Sequence, residues 1–147
     1  MQVINHFING EHFQGQNKNT VDVFNPATGE IAAHVALASQ QETEEAIRVA
    51  TEALPSWANT PPLKRARVMF KFKELLEEHI DDLAAMITNE HGKVLSDAKG
   101  EIARGIEVVE FACGIPQLLK GEFTEQVGTG VDSYSVRQPL GVCAGIT

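Results

Sequence analysis

The stretch Gly141–Ile146 constrains the fold more than any other part of the chain. It is apolar throughout and interrupted by glycine, which is the pattern of a strand covered on both faces in a parallel sheet. Such a strand needs parallel neighbours, each reached through a crossover of about a dozen or more residues. The sequence ends directly afterwards, at Thr147. We therefore expect these 147 residues to be the opening portion of a larger α/β protein, with most of the chemistry downstream.

Composition restricts the class of protein and its partners. The 43% hydrophobic and 22% charged fractions are typical of a globular protein. A net charge of −8 argues against a general nucleic-acid or anionic-membrane surface. No apolar stretch approaches the ~20 residues that span a bilayer. The N-terminus lacks the basic and apolar regions of an export signal. We expect a cytoplasmic protein with no nucleic-acid and no membrane partner.

Short strands are predicted in the N-terminal part. Two strand-like runs within His6–Phe13 flank Asn9-Gly10, and this dipeptide suits a two-residue hairpin turn because both positions tolerate positive φ. The segment Thr20–Phe24 alternates polar and apolar residues as a strand does, and Glu30–Leu37 returns as another. Together these runs predict a small antiparallel sheet.

Long helices are predicted after the strands. The first begins after Ser39, which forms a capping box with Glu42. Its apolar residues keep helical spacing and predict a buried stripe that includes Trp57, and Pro55 should end or kink the helix. A second helix is predicted as one continuous element over residues 60–91, about 45 Å long at ~1.5 Å per residue. That length is typical of a helix lying across a larger body.

The third predicted helix, over about residues 96–119, contains the one candidate binding residue that the helices offer. Gly100 and Gly105 weaken this helix by ~1 kcal/mol each, which suggests close packing against neighbouring backbone. Arg104 lies beside the apolar stripe. It can form a surface ion pair with Glu101 or Glu107, or it can point a cation into a cleft. The residues alone favour the ion pair.

The visible residues contain no complete catalytic apparatus. Residues 128–133 are not a GxGxxG motif. Cys113 and Cys143 lack CxxC spacing, and we interpret both as reduced, small, buried hydrophobic residues. The histidines show no i,i+4 pairing, so no metal site is predicted. They are His6, His12, His34, His79 and His91.

Several segments nevertheless match landmarks of one superfamily. They are Phe24–Glu30, Trp57, Glu90–Lys93 followed by Asp97-Ala98 and Glu101, and the more specific segments Ala103–Gly114 and Gly130–Thr147. In these residues the chain resembles the N-terminal third of the NAD-dependent aldehyde dehydrogenase superfamily along its whole length. The two specific segments look most like the CoA-acylating methylmalonate-semialdehyde (malonate-semialdehyde) dehydrogenases.

The resemblance implies an incomplete α/β fold: the N-terminal part of the aldehyde dehydrogenase fold, with long helices, small antiparallel strands and the first strand of a Rossmann-like parallel sheet. Residues 1–121 would belong to the NAD-binding domain, 122–138 would supply strands to the oligomerisation domain, and 139–147 would be the first parallel strand. Ile146 and Thr147 would lie at the edge of the cofactor site. The nucleophilic cysteine, the general-base glutamate and the phosphate-side lysine would lie beyond Thr147, so the chain would hold no catalytic residue.

The activity implied by the resemblance is oxidation of methylmalonate or malonate semialdehyde by NAD, through a cysteine thioester whose acyl group passes to CoA. The same resemblance shifts the preferred role of Arg104 to binding the substrate carboxylate. It also implies a homo-oligomer, dimeric or tetrameric, in the full-length protein. Two alternatives remain open: a non-catalytic truncated module of an aldehyde dehydrogenase, and part of a dehydrogenase for a different aldehyde. The isolated 147 residues are expected to be inactive, and to be poorly soluble or to self-associate because apolar faces would be exposed.

Overall fold

The computed structural model describes residues 2–15 and 19–147. Short strands come first, five helices follow, and a two-stranded ribbon comes last. In chain order the elements are β1 (Gln2–Ile4), β2 (His6–Ile8), β3 (Glu11–Phe13), β4 (Thr20–Phe24), β5 (Ile31–Ala36), α1 (Gln40–Ala58), α2 (Pro62–Glu78), α3 (Ile80–His91), α4 (Leu95–Cys113), α5 (Ile115–Leu118), β6 (Phe123–Gly128) and β7 (Val131–Tyr134).

The N-terminal strands form two small sheets. Strands β2 and β3 pair as the predicted hairpin, and Asn9 and Gly10 at its turn have φ of 57° and 78°. Strands β4 and β5 lie where predicted and pair antiparallel. The prediction of a purely antiparallel sheet is wrong, however, because β1 adds to β5 in parallel, giving the order β1-β5-β4. The short polar-apolar run of β1 gives no local sign of this pairing, which depends on a distant strand.

Helix α1 begins as predicted but exposes more of its surface than predicted. Glu42 is buried, its side chain accepts a hydrogen bond from the Ser39 backbone N–H at 2.7 Å, and the Ser39 hydroxyl accepts one from the Glu42 N–H. The helix continues through Pro55 to Ala58, so of the two predicted effects Pro55 does not end the helix, and a kink stays a prediction. The predicted buried stripe is also wrong within the described residues, since Trp57 is 46% exposed. A helical stripe is buried only where another element covers it.

The predicted single helix over residues 60–91 is two helices. His79, with φ −105° and ψ 19°, leaves helical geometry and separates α2 from α3. Asp81 and Asp82 fall in the first turn of α3, where carboxylates interact favourably with the helix dipole. Both helices pack against α4. The break therefore falls between two helices that share α4 as their packing partner.

The core lies where α3 and α4 meet. Its buried residues are Ala84, Ala98, Ile102 and Ile106, with Leu76, Ile80, Leu83 and Ile87 packed around them. The third predicted helix divides at Gly114 into α4 and α5. The suggested backbone contact at its glycines is not found among the described residues: a Cβ at Gly105 would meet nothing within 4 Å, and one at Gly100 would meet only an Arg104 side-chain nitrogen, at 3.9 Å.

The C-terminal segment consists of a ribbon and an extended tail. Strands β6 and β7 pair antiparallel and are exposed along their length. Residues 135–147 form no strand, so the expectation of a covered strand over Gly141–Ile146 is not met by this structure. A strand exists through its hydrogen-bonded neighbours, and none of β1–β7 pairs with this stretch. No helix in the described ranges has the length and apolar character needed to cross a membrane.

Candidate functional site

Two of the landmark segments meet at the end of α3. The turn after β4 is closed by its own hydrogen bonds: Asn25 Oδ1 accepts from the Ala27 N–H at 2.8 Å, and the Asn25 carbonyl accepts from the Gly29 N–H at 2.8 Å. Pro26 of this turn lies against Gly92, where a Cβ would be 3.1 Å from the proline Cγ. Gly92 ends α3 in the left-handed region, with φ 83°, which favours glycine. The contact fixes the direction in which the chain leaves α3.

Directly after this contact, Lys93 joins two carboxylates of α4. Its Nζ lies 2.6 Å from Glu101 Oε2 and 3.0 Å from Asp97 Oδ2. Lys93 is 18% exposed at its side chain, whereas both carboxylates are more than half exposed. These three residues are called the Lys93 cluster below. They connect the segment before α4 to its first two turns.

The Lys93 cluster shifts the acidity of its members. The hydrogen bond from Lys93 is the largest cause that holds the pKa of Asp97 and of Glu101 below their ordinary values, and Arg104 and His91 add smaller electrostatic effects. Hydrogen bonds to Glu101 and then Asp97 raise the pKa of Lys93. All three groups are therefore charged at neutral pH. The sequence contains a signal for this cluster, a lysine followed by acidic residues at four-residue intervals, although from sequence these residues were recognised only as superfamily landmarks.

Arg104 lies one turn beyond the Lys93 cluster on α4 and is exposed. Among the described residues it forms no ion pair with Glu101 or Glu107, the partners proposed from sequence. One guanidinium nitrogen lies over Gly100. The surface ion pair is therefore absent, and an exposed guanidinium remains that can bind a carboxylate through two parallel hydrogen bonds.

The other predicted site residues lie apart from helix α4 in the chain. Ile146 is fully exposed and Thr147 is exposed, on the extended tail. Cys113 is buried, as expected, but the expectation that Cys143 is buried is wrong because it is exposed. Burial of Cys143 required neighbours for the apolar stretch, and the described residues do not supply them. Among residues 2–15 and 19–147, no group of three or more histidine, cysteine or acidic side chains is placed so that it could hold a metal ion.

An open apolar groove runs between α2, α3 and α4. Its lining includes Phe72, Leu83, Met86, Ile87 and Val109. The groove continues the core, yet Met86 is 61% exposed. It contains almost no polar group that could orient a small ligand, so its chemistry is that of a packing surface.

The chain belongs to the aldehyde dehydrogenase family, whose model matches residues 13–147. The expected fold class is confirmed, because the helices and strands match the N-terminal part of solved aldehyde dehydrogenases.

Three known proteins are similar to this chain over almost all of its length. It is 49% identical to the malonate-semialdehyde dehydrogenase of Pseudomonas aeruginosa, over 100% of this chain and 29% of that protein. It is 49% identical to the mitochondrial acylating methylmalonate-semialdehyde dehydrogenase of Arabidopsis thaliana, over 95% of this chain and 23% of that protein. A Sinorhizobium meliloti structure complexed with NAD matches at TM-score 0.91 and 50% identity, over 96% of this chain and 29% of that one. The chain thus spans less than a third of each protein.

Proposed function

We propose that these residues form the N-terminal part of an NAD-dependent, CoA-acylating malonate- or methylmalonate-semialdehyde dehydrogenase. The observation that carries the proposal is the 49% identity to a malonate-semialdehyde dehydrogenase over the whole chain. The NAD complex of a structural relative supports the cofactor, and the acylating relative supports CoA as the acyl acceptor. In this reaction NAD accepts the hydride of the aldehyde.

We assign each segment of the chain to a domain from the elements that it forms. Residues 1–121 belong to the NAD-binding domain and enclose the site. The exposed ribbon β6–β7 within residues 122–138 joins the oligomerisation domain, because its unpaired edges and exposed apolar side chains suit pairing with further chain. Residues 139–147 form the first parallel strand once neighbouring strands are present, and Ile146 and Thr147 then border NAD. The nucleophile and the general base come from residues outside 1–147.

Arg104 is the proposed specificity residue for the substrate carboxylate. Malonate and methylmalonate semialdehyde both carry a carboxylate at the end opposite the aldehyde, whereas propanal carries none. A guanidinium that is exposed and forms no ion pair within the described residues can meet that group without first breaking another contact. Neither an uncharged side chain nor lysine provides the same two-pronged geometry.

The first test is a comparison of substrates in the full-length enzyme that carries this sequence. Arg104→Ala should raise KM for malonate semialdehyde by about 10- to 100-fold, the range expected for losing hydrogen bonds to a charged group. KM for propanal should change little. Arg104→Lys is the matched control, and it should recover only part of the affinity because it keeps the charge but not the planar fork.

The outcome separates the proposed role from its alternatives. Equal losses for both aldehydes would contradict carboxylate recognition by Arg104. Absence of NADH formation by the unmodified enzyme with malonate semialdehyde and CoA, together with turnover of another aldehyde, would replace the proposed substrate class. A coding sequence without a downstream nucleophilic cysteine would favour a non-catalytic module.

A further inference from the structure

We propose that Lys93 is a positioning residue for substrate specificity: by holding Glu101 and Asp97, it keeps Arg104 free to bind the substrate carboxylate. The inference rests on the proposed function of Arg104 and adds a second residue to it. Lys93 does not itself touch the substrate. It acts by occupying the carboxylate with which Arg104 would otherwise pair.

The geometry of α4 places Arg104 within reach of Glu101. Positions 97, 101 and 104 follow one stripe of a helix, at spacings of four and three residues. Long side chains on a helix lean towards its N-terminus, and Arg104 does so, since a guanidinium nitrogen lies over Gly100. Arg104 is also close enough to help hold the pKa of Glu101 below its ordinary value, after the larger effect of Lys93. The two residues have the arrangement of an i,i+3 ion pair.

The same chain shows what this arrangement does when nothing competes. On α1, Glu45 and Arg48 have the identical Glu-to-Arg spacing and form a two-pronged pair, with Arg48 Nε donating to Glu45 Oε2 at 2.7 Å and Nη2 donating to Oε1 at 2.5 Å. Glu101 and Arg104 form no such pair. Two features differ between the sites: Arg48 is also held by Glu52 one turn further on, and Glu101 is already paired with Lys93 at 2.6 Å.

Lys93 is better placed than Arg104 to pair with Glu101. Its side chain is 18% exposed, so its ammonium is held near both carboxylates and loses little further freedom on pairing. Its backbone position is fixed by Gly92, which lies against Pro26. The flexible side chain of Arg104 is exposed and would lose more rotamer entropy on binding Glu101. Lys93 therefore neutralises Asp97 and Glu101 before any substrate binds.

The test uses Lys93→Met in the full-length enzyme. Arg104 should then pair with Glu101, and KM for malonate semialdehyde should rise about two- to fivefold, the factor expected from an exposed ion pair. KM for propanal should not show this rise. The double variant Lys93→Met/Glu101→Gln removes the competing carboxylate and should restore KM for malonate semialdehyde. Glu101→Gln alone is the matched control and should cause no rise.

The outcomes separate a failure of the role proposed for Arg104 from a failure of the role proposed for Lys93. An Arg104→Ala enzyme that discriminates normally overturns the carboxylate role and this inference with it. A selective Arg104→Ala defect together with an unchanged KM in Lys93→Met overturns the role of Lys93 alone, as does a double variant that stays impaired. A purely structural role would affect both aldehydes equally. Should Lys93→Met not fold, Lys93→Leu, which also removes both the charge and the donor, carries the same expectation.

Discussion

Replacement of Gly92 by alanine tests the contact between the two landmark segments. Gly92 has φ 83° and its Cβ would lie 3.1 Å from Pro26 Cγ and 3.3 Å from Pro26 Cβ. Two costs therefore add. Placing alanine in the left-handed region costs about 1 kcal/mol, and overfilling a packed contact costs about 1–3 kcal/mol.

Gly29 is the matched control for the first cost. It has φ 73° and a Cβ there would meet nothing within 4 Å, so Gly29→Ala should lower the free energy of unfolding by about 1 kcal/mol only. Gly92→Ala should lower it by about 2–4 kcal/mol. Asparagine tolerates the left-handed region, so Gly92→Asn against Gly29→Asn isolates the contact.

The assay is urea unfolding of the purified protein that carries this sequence, with the slope m checked for constancy so that midpoints report stability. A Pro26→Ala background removes the proline Cγ and should recover about 1 kcal/mol of the Gly92→Ala loss in a double-mutant cycle. Equal losses for Gly92→Ala and Gly29→Ala, within about 0.5 kcal/mol, would refute the contact between Pro26 and the end of α3.

Two further predictions concern the ribbon and the Lys93 cluster. A Cβ at Gly121 would overlap the Ser135 carbonyl oxygen, whereas a Cβ at Gly128 would meet only Val131 Cβ at 3.9 Å. Gly121→Ala should therefore lower the melting temperature by several degrees more than Gly128→Ala, and equal shifts would contradict this close approach. The carboxyls of the Lys93 cluster have pKa values below their ordinary 3.8 and 4.5, so their contribution is present above those values and is lost as pH falls through the lowered ones. The stability difference between the unmodified protein and Lys93→Met should therefore be small but measurable at about pH 7 and should shrink as the pH falls below those ordinary values. A difference that grows on acidification would contradict this.

Local signals in the sequence determined the elements that depend on nearby residues. Asn9-Gly10 specified a hairpin because its backbone conformation is set by those two residues. Ser39 and Glu42 specified the start of α1 because the capping box closes within one turn. Strands β4 and β5 followed from alternation of polar and apolar residues.

The elements that were predicted wrongly depend on distant partners. Near His79, Asp81 and Asp82 in the first turn of α3 are only a weak local sign of a new helix, and both α2 and α3 pack against the distant α4. The parallel pairing of β1 with β5 joins residues far apart in the chain. The parallel strand over Gly141–Ile146 stays a prediction, because a strand needs neighbours to supply its hydrogen bonds and none of β1–β7 pairs with this stretch.

For the candidate site, the sequence determined the residue types and the tertiary structure decided which of them pair. Glu45–Arg48 and Glu101–Arg104 share the same spacing, although Arg48 has an additional carboxylate, Glu52, one turn further on. Sequence alone favoured an ion pair for Arg104. In the structure Arg104 forms no ion pair within the described residues, and Lys93 reaches Glu101 from outside the helix. Helical spacing fixes which side chains can meet, but the competition among them is settled by the fold that brings a third charge to the same place.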